Sequence, residues 1–459
     1  MSNSKSFRVL MSSRAVFSVA ALLALIATSC SDSTGARQQA TQTAAKTPET
    51  PLPPPEAIRD AIDKALDITE QRRLNSDDHA AWQVVHGIMA FGQGFHIEHQ
   101  GQLVPALDWL LEGSSLSGWN MRPADHGLEA ILEAGSQTGQ GHEDQWLGYL
   151  SLCGLRASHP LVVRGQQHTV NDLVTQAQWD VHDGMEASWT LMGLSTYLPL
   201  DAKWQSSDGQ TWDLERLVAL ETEYPLGESP CGGTHRLIGL TIALNRYLSE
   251  NDGKLQGAWQ VADDEIQSAV ERAREYQNAD GTFSAEFFER PSLTADVALK
   301  INTTGHTLEF LCYALPRDEI RSHECDWVAR AALRLTELLD ETSDLPLECG
   351  SLYHAAHALQ LYRLQRFGPR VFETVPESAG APQTVEPSQP APAETAPSEA
   401  APTETVPTEI APTETGQATS ASPAPAESAT SEPASSEPVS SETAVSVSGA
   451  TSPAPLASH

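Results

Sequence analysis

The chain has 459 residues, a formal net charge of −33 and a pI near 4.7. About −12 of that charge belongs to residues 371–459, which hold twelve glutamates, half of the 30 prolines and no lysine or arginine. The remainder is still acidic enough to repel phosphate backbones, which excludes nucleic acid as a partner, and its roughly 310–320 residues suffice for one large core.

The N-terminus carries the parts of an export signal. Lys5, Arg8 and Arg14 form a basic start, Ala15 to Ala27 an apolar run too short to span a bilayer, and Ala27-Thr28-Ser29-Cys30 a small-residue end. That end resembles the lipobox of bacterial lipoproteins, although Ala27 stands where leucine is usual. The resemblance implies a signal peptide over 1–29, lipid on Cys30, and a protein of the bacterial cell envelope held at a membrane and facing the periplasm or exterior. Residues 30–55, rich in Thr, Ala, Gln and Pro, read as a disordered tether. Residues 371–459 repeat units such as Ala401-Pro402-Thr403-Glu404-Thr405 and lack the apolar residues that would offset chain entropy, so disorder is expected there too.

Between these flanks, 56–370 alternates two kinds of helix. One series is apolar nearly all round: Trp82 to Met89, Trp146 to Leu155, Trp189 to Leu198, Leu237 to Leu244, Leu308 to Leu315 and Ala355 to Leu361. Such helices must be covered on most sides and are inner ones. The other series is one-faced, as in Ile58, Ile62 and Leu66, in Ala262, Ile266, Ala269 and Ala273, or in Val328, Ala331, Leu335 and Leu338. Six of each are expected. Gly101, Gly165 and Gly209 mark β-hairpin-like turns before the next outer helix.

After one outer helix comes Gln277-Asn278-Ala279-Asp280-Gly281-Thr282-Phe283, with glycine suited to a left-handed helix end and Phe283 placed to pack back on it. This segment resembles the repeat of terpenoid cyclases and protein prenyltransferase subunits, with a degenerate copy at Gly118-Trp119. The resemblance implies an all-α fold, an (α/α)6 toroid of six helical hairpins. It does not imply the activity, because the Asp-x-Asp-Asp acid and the Asp-x-Cys zinc set of those families are missing; Asp263-Asp264 lies on an outer helix. The whole chain also resembles uncharacterised bacterial envelope proteins labelled as GTPase activators for ADP-ribosylation factors. That activity needs a four-cysteine zinc finger, and no CxxC is present.

Histidines and carboxylates recur where inner helices begin: His79, His142 with Glu143, Glu186, His235, His306 and His354. In a toroid these would converge at one mouth of a central funnel, with helix N-termini keeping the imidazoles neutral. Trp82, Trp189, Glu309 and His357 extend the lining by helical spacing. The expected function is binding of a small envelope ligand, a glycan or lipid fragment. The alternative is a polysaccharide hydrolase or lyase with Glu143, Glu186 or His306 as catalytic groups. No metal is assigned, the tightest candidate ligand set being His354, His357 and Glu309; a divalent ion stays open as a cofactor. His96-x-Glu98-His99 has no zincin spacing and reads as an exposed polar turn. Cys231 and Cys349 sit in similar loops where pairing is left open, and Cys153 and Cys312 read as buried thiols.

Overall fold

The computed structural model describes residues 51–370. The expected signal peptide, Cys30, most of the tether and the tail lie outside the described residues. Among the described residues there are thirteen α-helices and four two-stranded antiparallel hairpins. None of these helices is long and apolar enough to cross a membrane.

The apolar series becomes α2 (Ala81–Phe91), α4 (Gln145–Leu152), α6 (Ser188–Tyr197), α8 (Thr234–Glu250), α10 (Val297–Ala314) and α13 (Cys349–Phe367). Their all-round hydrophobicity matches their surroundings; in α6 every residue from Ser188 to Ser195 is buried. The one-faced series becomes α1 (Pro55–Glu70), α3 (Ala106–Leu111), α5 (Val170–Asp180), α7 (Leu214–Thr222), α9 (Gly257–Glu275) and α12 (Asp326–Glu341). In α1 the buried residues are Ile58, Ile62, Ala65, Leu66 and Thr69, one stripe at helical spacing. A short extra helix, α11 (Arg317–Arg321), links α10 to α12.

Consecutive inner helices pack on one another: α2 on α4, α4 on α6, α6 on α8, α8 on α10 and α10 on α13, and α13 in turn packs on α2. Small residues set these spacings. A Cβ on Gly148 of α4 would stand 2.6 Å from the Trp189 ring of α6, and one on Gly305 of α10 would stand 2.8 Å from the Ala355 Cα of α13. The α10–α13 crossing is therefore backbone against backbone.

The hairpins are β1 (His96–His99) with β2 (Gln102–Pro105), β3 (Met121–Ala124) with β4 (Gly127–Ala130), β5 (Pro160–Val163) with β6 (Gln166–Thr169), and β7 (Lys203–Gln205) with β8 (Thr211–Asp213). Three fall at the expected glycines. At Gln100-Gly101 and Arg164-Gly165 both turn residues have positive φ (51° and 75°, 51° and 76°), the two-residue turn that matches strand twist. The β3–β4 hairpin was not foreseen, because Pro123 in its first strand argues against pairing until the partner is known.

Gly281 adopts φ 89°, as its position after α9 requires. Around it the loop is tied to two helices. The Gln277 amide donates to the Gly281 and Trp327 carbonyls, and Lys300 Nζ donates to Asp280 at 2.7 Å. Phe283 is buried, with the Trp327 ring edge-on at 5.9 Å.

Candidate functional site

Helices α10 and α13 supply the centre of the site. They begin well before their apolar runs, so His306 is the tenth residue of α10 and His354 the sixth of α13. Both are mid-helix, which corrects the expectation that they open their helices. Glu309 lies three residues beyond His306, on the same face. It accepts hydrogen bonds from His354 Nδ1 at 2.7 Å and His357 Nδ1 at 2.6 Å. His306 Nδ1 donates to the Asn302 carbonyl at 2.9 Å. In the neutral rings these bonds fix the tautomers and leave each Nε2 as the lone-pair nitrogen.

Further imidazoles join from other elements. His235, the second residue of α8, has its ring centroid 5.3 Å from that of His306 and 5.1 Å from that of His354, which are themselves 4.0 Å apart. His142, in the loop before α4, lies 6.2 Å from His235, and its Nδ1 pairs with Glu186 Oε2 at 2.9 Å. The Trp189 ring lies 4.9 Å from His235 and Trp82 4.2 Å from His86. Thus Trp82, His142, Glu186, Trp189, His235, His306, Glu309, His354 and His357 share one neighbourhood.

His79 does not join them. It precedes α2, half-buried, and its Nδ1 accepts the Asn75 backbone N–H at 3.1 Å. Its place is taken by His86, which the sequence hid inside an apolar run. His86 Nδ1 donates to the Trp82 carbonyl at 2.6 Å, so Nε2 accepts from the Tyr149 hydroxyl at 2.9 Å. The His86 ring stands 5.3 Å from His354.

Cys231 was also missed as a member. Cys231, Gly232 and Gly233 are three consecutive left-handed residues before α8 (φ 51°, 62° and 80°). A Cβ on Gly232 would lie 2.3 Å from the Phe287 ring, so Phe287 presses this loop down. Cys231 and Cys349 are both free; Cys349 Sγ instead accepts from Gln83 Nε2 at 3.7 Å. Cys153 and Cys312 are free thiols as well, Cys312 fully buried. Cys231 Sγ and a ring nitrogen each of His235 and His306 all lie within 4.8 Å of one another.

Burial dominates the electrostatics. It drives His86 and His235 well below the ordinary imidazole value, assisted by neighbouring imidazoles, and holds His354 at about 4 despite Glu309. The expected cause, helix N-termini, is replaced by desolvation. Burial opposes the Glu309 charge too, yet its bonds to His354 and His357 hold the carboxylate well below its usual range. His306 differs: burial pulls it down, but the Cys231 sulfur, Glu309 and the Asn302 carbonyl bring it up to about 9.

On the solvent side, His142 and Glu186 are 22% and 30% exposed. Glu143, next to them, has a buried Oε2 without a hydrogen-bond partner, and burial raises its pKa. At the other end of the inner helices a cavity of about 400 Å³ is lined by Met89, Phe91, His357, Leu361, Arg363 and Arg370, among others. His96 and His99 stay in the β1–β2 hairpin, bonded to Gly94 and Ser76.

No protein-family model, curated protein or solved structure matches this chain.

Proposed function

We propose that this is a lipid-anchored protein of the bacterial cell envelope, whose helices close as an (α/α)6 toroid around a site for a small envelope ligand, a glycan or lipid fragment. The toroid reading is supported by the inner-helix packing, in which the sixth helix returns to the first. The envelope reading is supported by the signal-like N-terminus and Cys30.

One observation carries the binding reading. Five imidazoles from different parts of the chain meet in the interior, and both nitrogens of His235 there lack any hydrogen-bond partner. Buried polar groups are normally paired, and each orphan costs about 1–3 kcal/mol. Apolar side chains of similar size would stabilise the fold better, so the cluster is kept for what it binds. His142 and Glu186, its partly exposed members, are where a ligand is recognised.

A second reading, polysaccharide hydrolysis or elimination, is favoured by the neighbouring carboxyl groups. Glu143 keeps its proton to higher pH than an ordinary glutamate, while the Glu186 carboxylate accepts from His142 and leaves its Nε2 free as a base.

Calorimetry of the detergent-solubilised full chain with N-acetylglucosamine oligosaccharides and short-chain phospholipids tests the proposal. One class is expected to bind, and His142→Gln and Glu186→Gln to weaken it at least tenfold with an unchanged Tm. No heat with either class, or equal binding by the variants, overturns it. Chromatography of the oligosaccharide after incubation separates binding from turnover.

A further inference from the structure

We propose that Cys231, His235 and His306 form a binding site for one divalent transition-metal ion of the zinc type, with the fourth coordination position left for water or a ligand. The inference does not depend on the glycan or lipid reading, because metal content is measured without any organic ligand.

Three independent observations converge on it. The first is distance: one sulfur and two ring nitrogens lie within 4.8 Å of one another. Bonds of about 2.0–2.3 Å to a tetrahedral zinc would place such atoms roughly 3.4–3.7 Å apart. Closure by about an ångström, within reach of side-chain rotation, completes the set. The second is the unpartnered state of His235. The residue is 5% exposed, and neither ring nitrogen has a hydrogen-bond partner in the protein. A thiolate–imidazolium pair between Cys231 and His306 would leave that orphan unexplained, whereas a shared cation satisfies all three residues. The third is orientation. His306 is turned by its Nδ1–H bond to the Asn302 carbonyl, so that Nε2 is the nitrogen that presents a lone pair once its proton has left. A second hydrogen bond of this kind is what orients histidines that bind metals. His354, 4.0 Å from His306, is held in the same fashion by the Glu309 carboxylate, whose buried charge a nearby cation would balance.

The donor types select the ion. One thiolate and two imidazoles suit zinc and its cobalt substitute better than calcium or magnesium, which take oxygen. Three protein donors are the number found where zinc keeps a position for chemistry. On loading, the protons held on Cys231 Sγ and on His306 Nε2 leave to solvent, and the freed sulfur lone pair bonds the metal. The histidines contribute lone pairs with no change of redox state. Three consecutive left-handed residues, pressed between Phe287 and Leu226, hold Cys231 over the start of α8. That backbone strain is localised at the one residue of the loop that can ligate.

The test uses the full chain, stripped with chelator under reducing conditions and titrated with Co2+. The expected result is one equivalent bound, with a thiolate-to-cobalt charge-transfer band and the intense visible absorption of four-coordinate cobalt. Cys231→Ser should abolish the charge-transfer band. His235→Gln and His306→Gln should weaken binding by more than the roughly 10–100-fold that losing a ligand's hydrogen-bond partner costs. Cys153→Ser and Cys349→Ser should change neither. Circular dichroism reports whether each variant is folded. A folded, stripped wild-type chain that takes up no Co2+ overturns the proposal, as does a band that survives Cys231→Ser or binding indifferent to all three substitutions. Should the variants fail to fold, wild-type protein decides: Zn2+ must protect Cys231 from iodoacetamide, and labelling equal with and without Zn2+ refutes the site.

Discussion

Replacing Gly305 by alanine tests how the centre of the molecule is assembled. The added Cβ would meet the Ala355 Cα at 2.8 Å, its nitrogen at 2.9 Å and its Cβ at 3.0 Å. Carbon atoms in contact normally sit about 3.5–4.0 Å apart, so α10 and α13 must separate by roughly 0.7 Å. No flexible side chain is present to yield, and overpacking of this kind costs about 1–3 kcal/mol. The separation also stretches the His354–Glu309 hydrogen bond from 2.7 Å to about 3.4 Å, past the usual range of roughly 2.7–3.2 Å. A weakened bond to a buried charged group adds about 1.5–3 kcal/mol, for a total of about 2.5–6 kcal/mol. Urea unfolding followed by circular dichroism measures it, with Gly94→Ala as control, since a Cβ at exposed Gly94 meets nothing within 4 Å. The reasoning fails if Gly305→Ala lies within about 0.5 kcal/mol of wild type, the range of an ordinary surface change.

Three further outcomes are expected. His354 titrates at about 4 in the fold against 6.5 in the unfolded chain, so below pH 6.5 the unfolded state gains a proton that the native state refuses. Stability of the metal-free protein should therefore fall between pH 6.5 and about 4, by on the order of 3 kcal/mol from this residue, with His86 and His235 acting in the same direction; urea midpoints that stay level from pH 7 to 5 would contradict it. Glu309→Gln leaves one imidazole N–H facing an amide NH2 and should cost about 1–3 kcal/mol by calorimetric Tm, while raising of the His354 pKa, followed by NMR, would show that the carboxylate was not its partner. Gly165→Ala forces a side chain into φ 76° and should cost about 1–2 kcal/mol, seen in the same unfolding assay, with Co2+ binding unchanged because the β5–β6 turn contributes no ligand and a Cβ there meets nothing within 4 Å.

The alternation of helices was legible because burial leaves a compositional mark: a helix covered on all sides cannot afford polar stripes, and a one-faced helix must have one. Helix beginnings were less legible. The first two turns of α10 and α13 carry Lys300, Asn302, Gly350 and Ser351, polar or small residues that resemble a loop although they are helical. That error placed His306 and His354 at helix starts and assigned their protonation to helix N-termini, whereas burial keeps His354 neutral and Cys231 and Glu309 raise His306. His86 was invisible for the opposite reason, a single histidine within Trp82–Met89 that periodicity counts as core. Cys231 and His306 are 75 positions apart, and no local pattern signals that a glycine-rich loop bends back towards the middle of α10.

Arg363 of α13 pairs with Asp63 of α1 at 3.0 Å across a separation of 300 residues, and α1 packs on both α12 and α13. The first and last described helices are thus neighbours, and completion of the cluster waits for α13, which supplies His354 and His357. During synthesis every earlier helix would emerge with its histidines lacking that final wall, so a nascent chain stopped before residue 349 should not assemble the cluster. Conversely, a permuted gene that joins residue 370 to residue 55 by a short linker and opens at Gly165 should preserve it, since the new ends would fall in a surface turn.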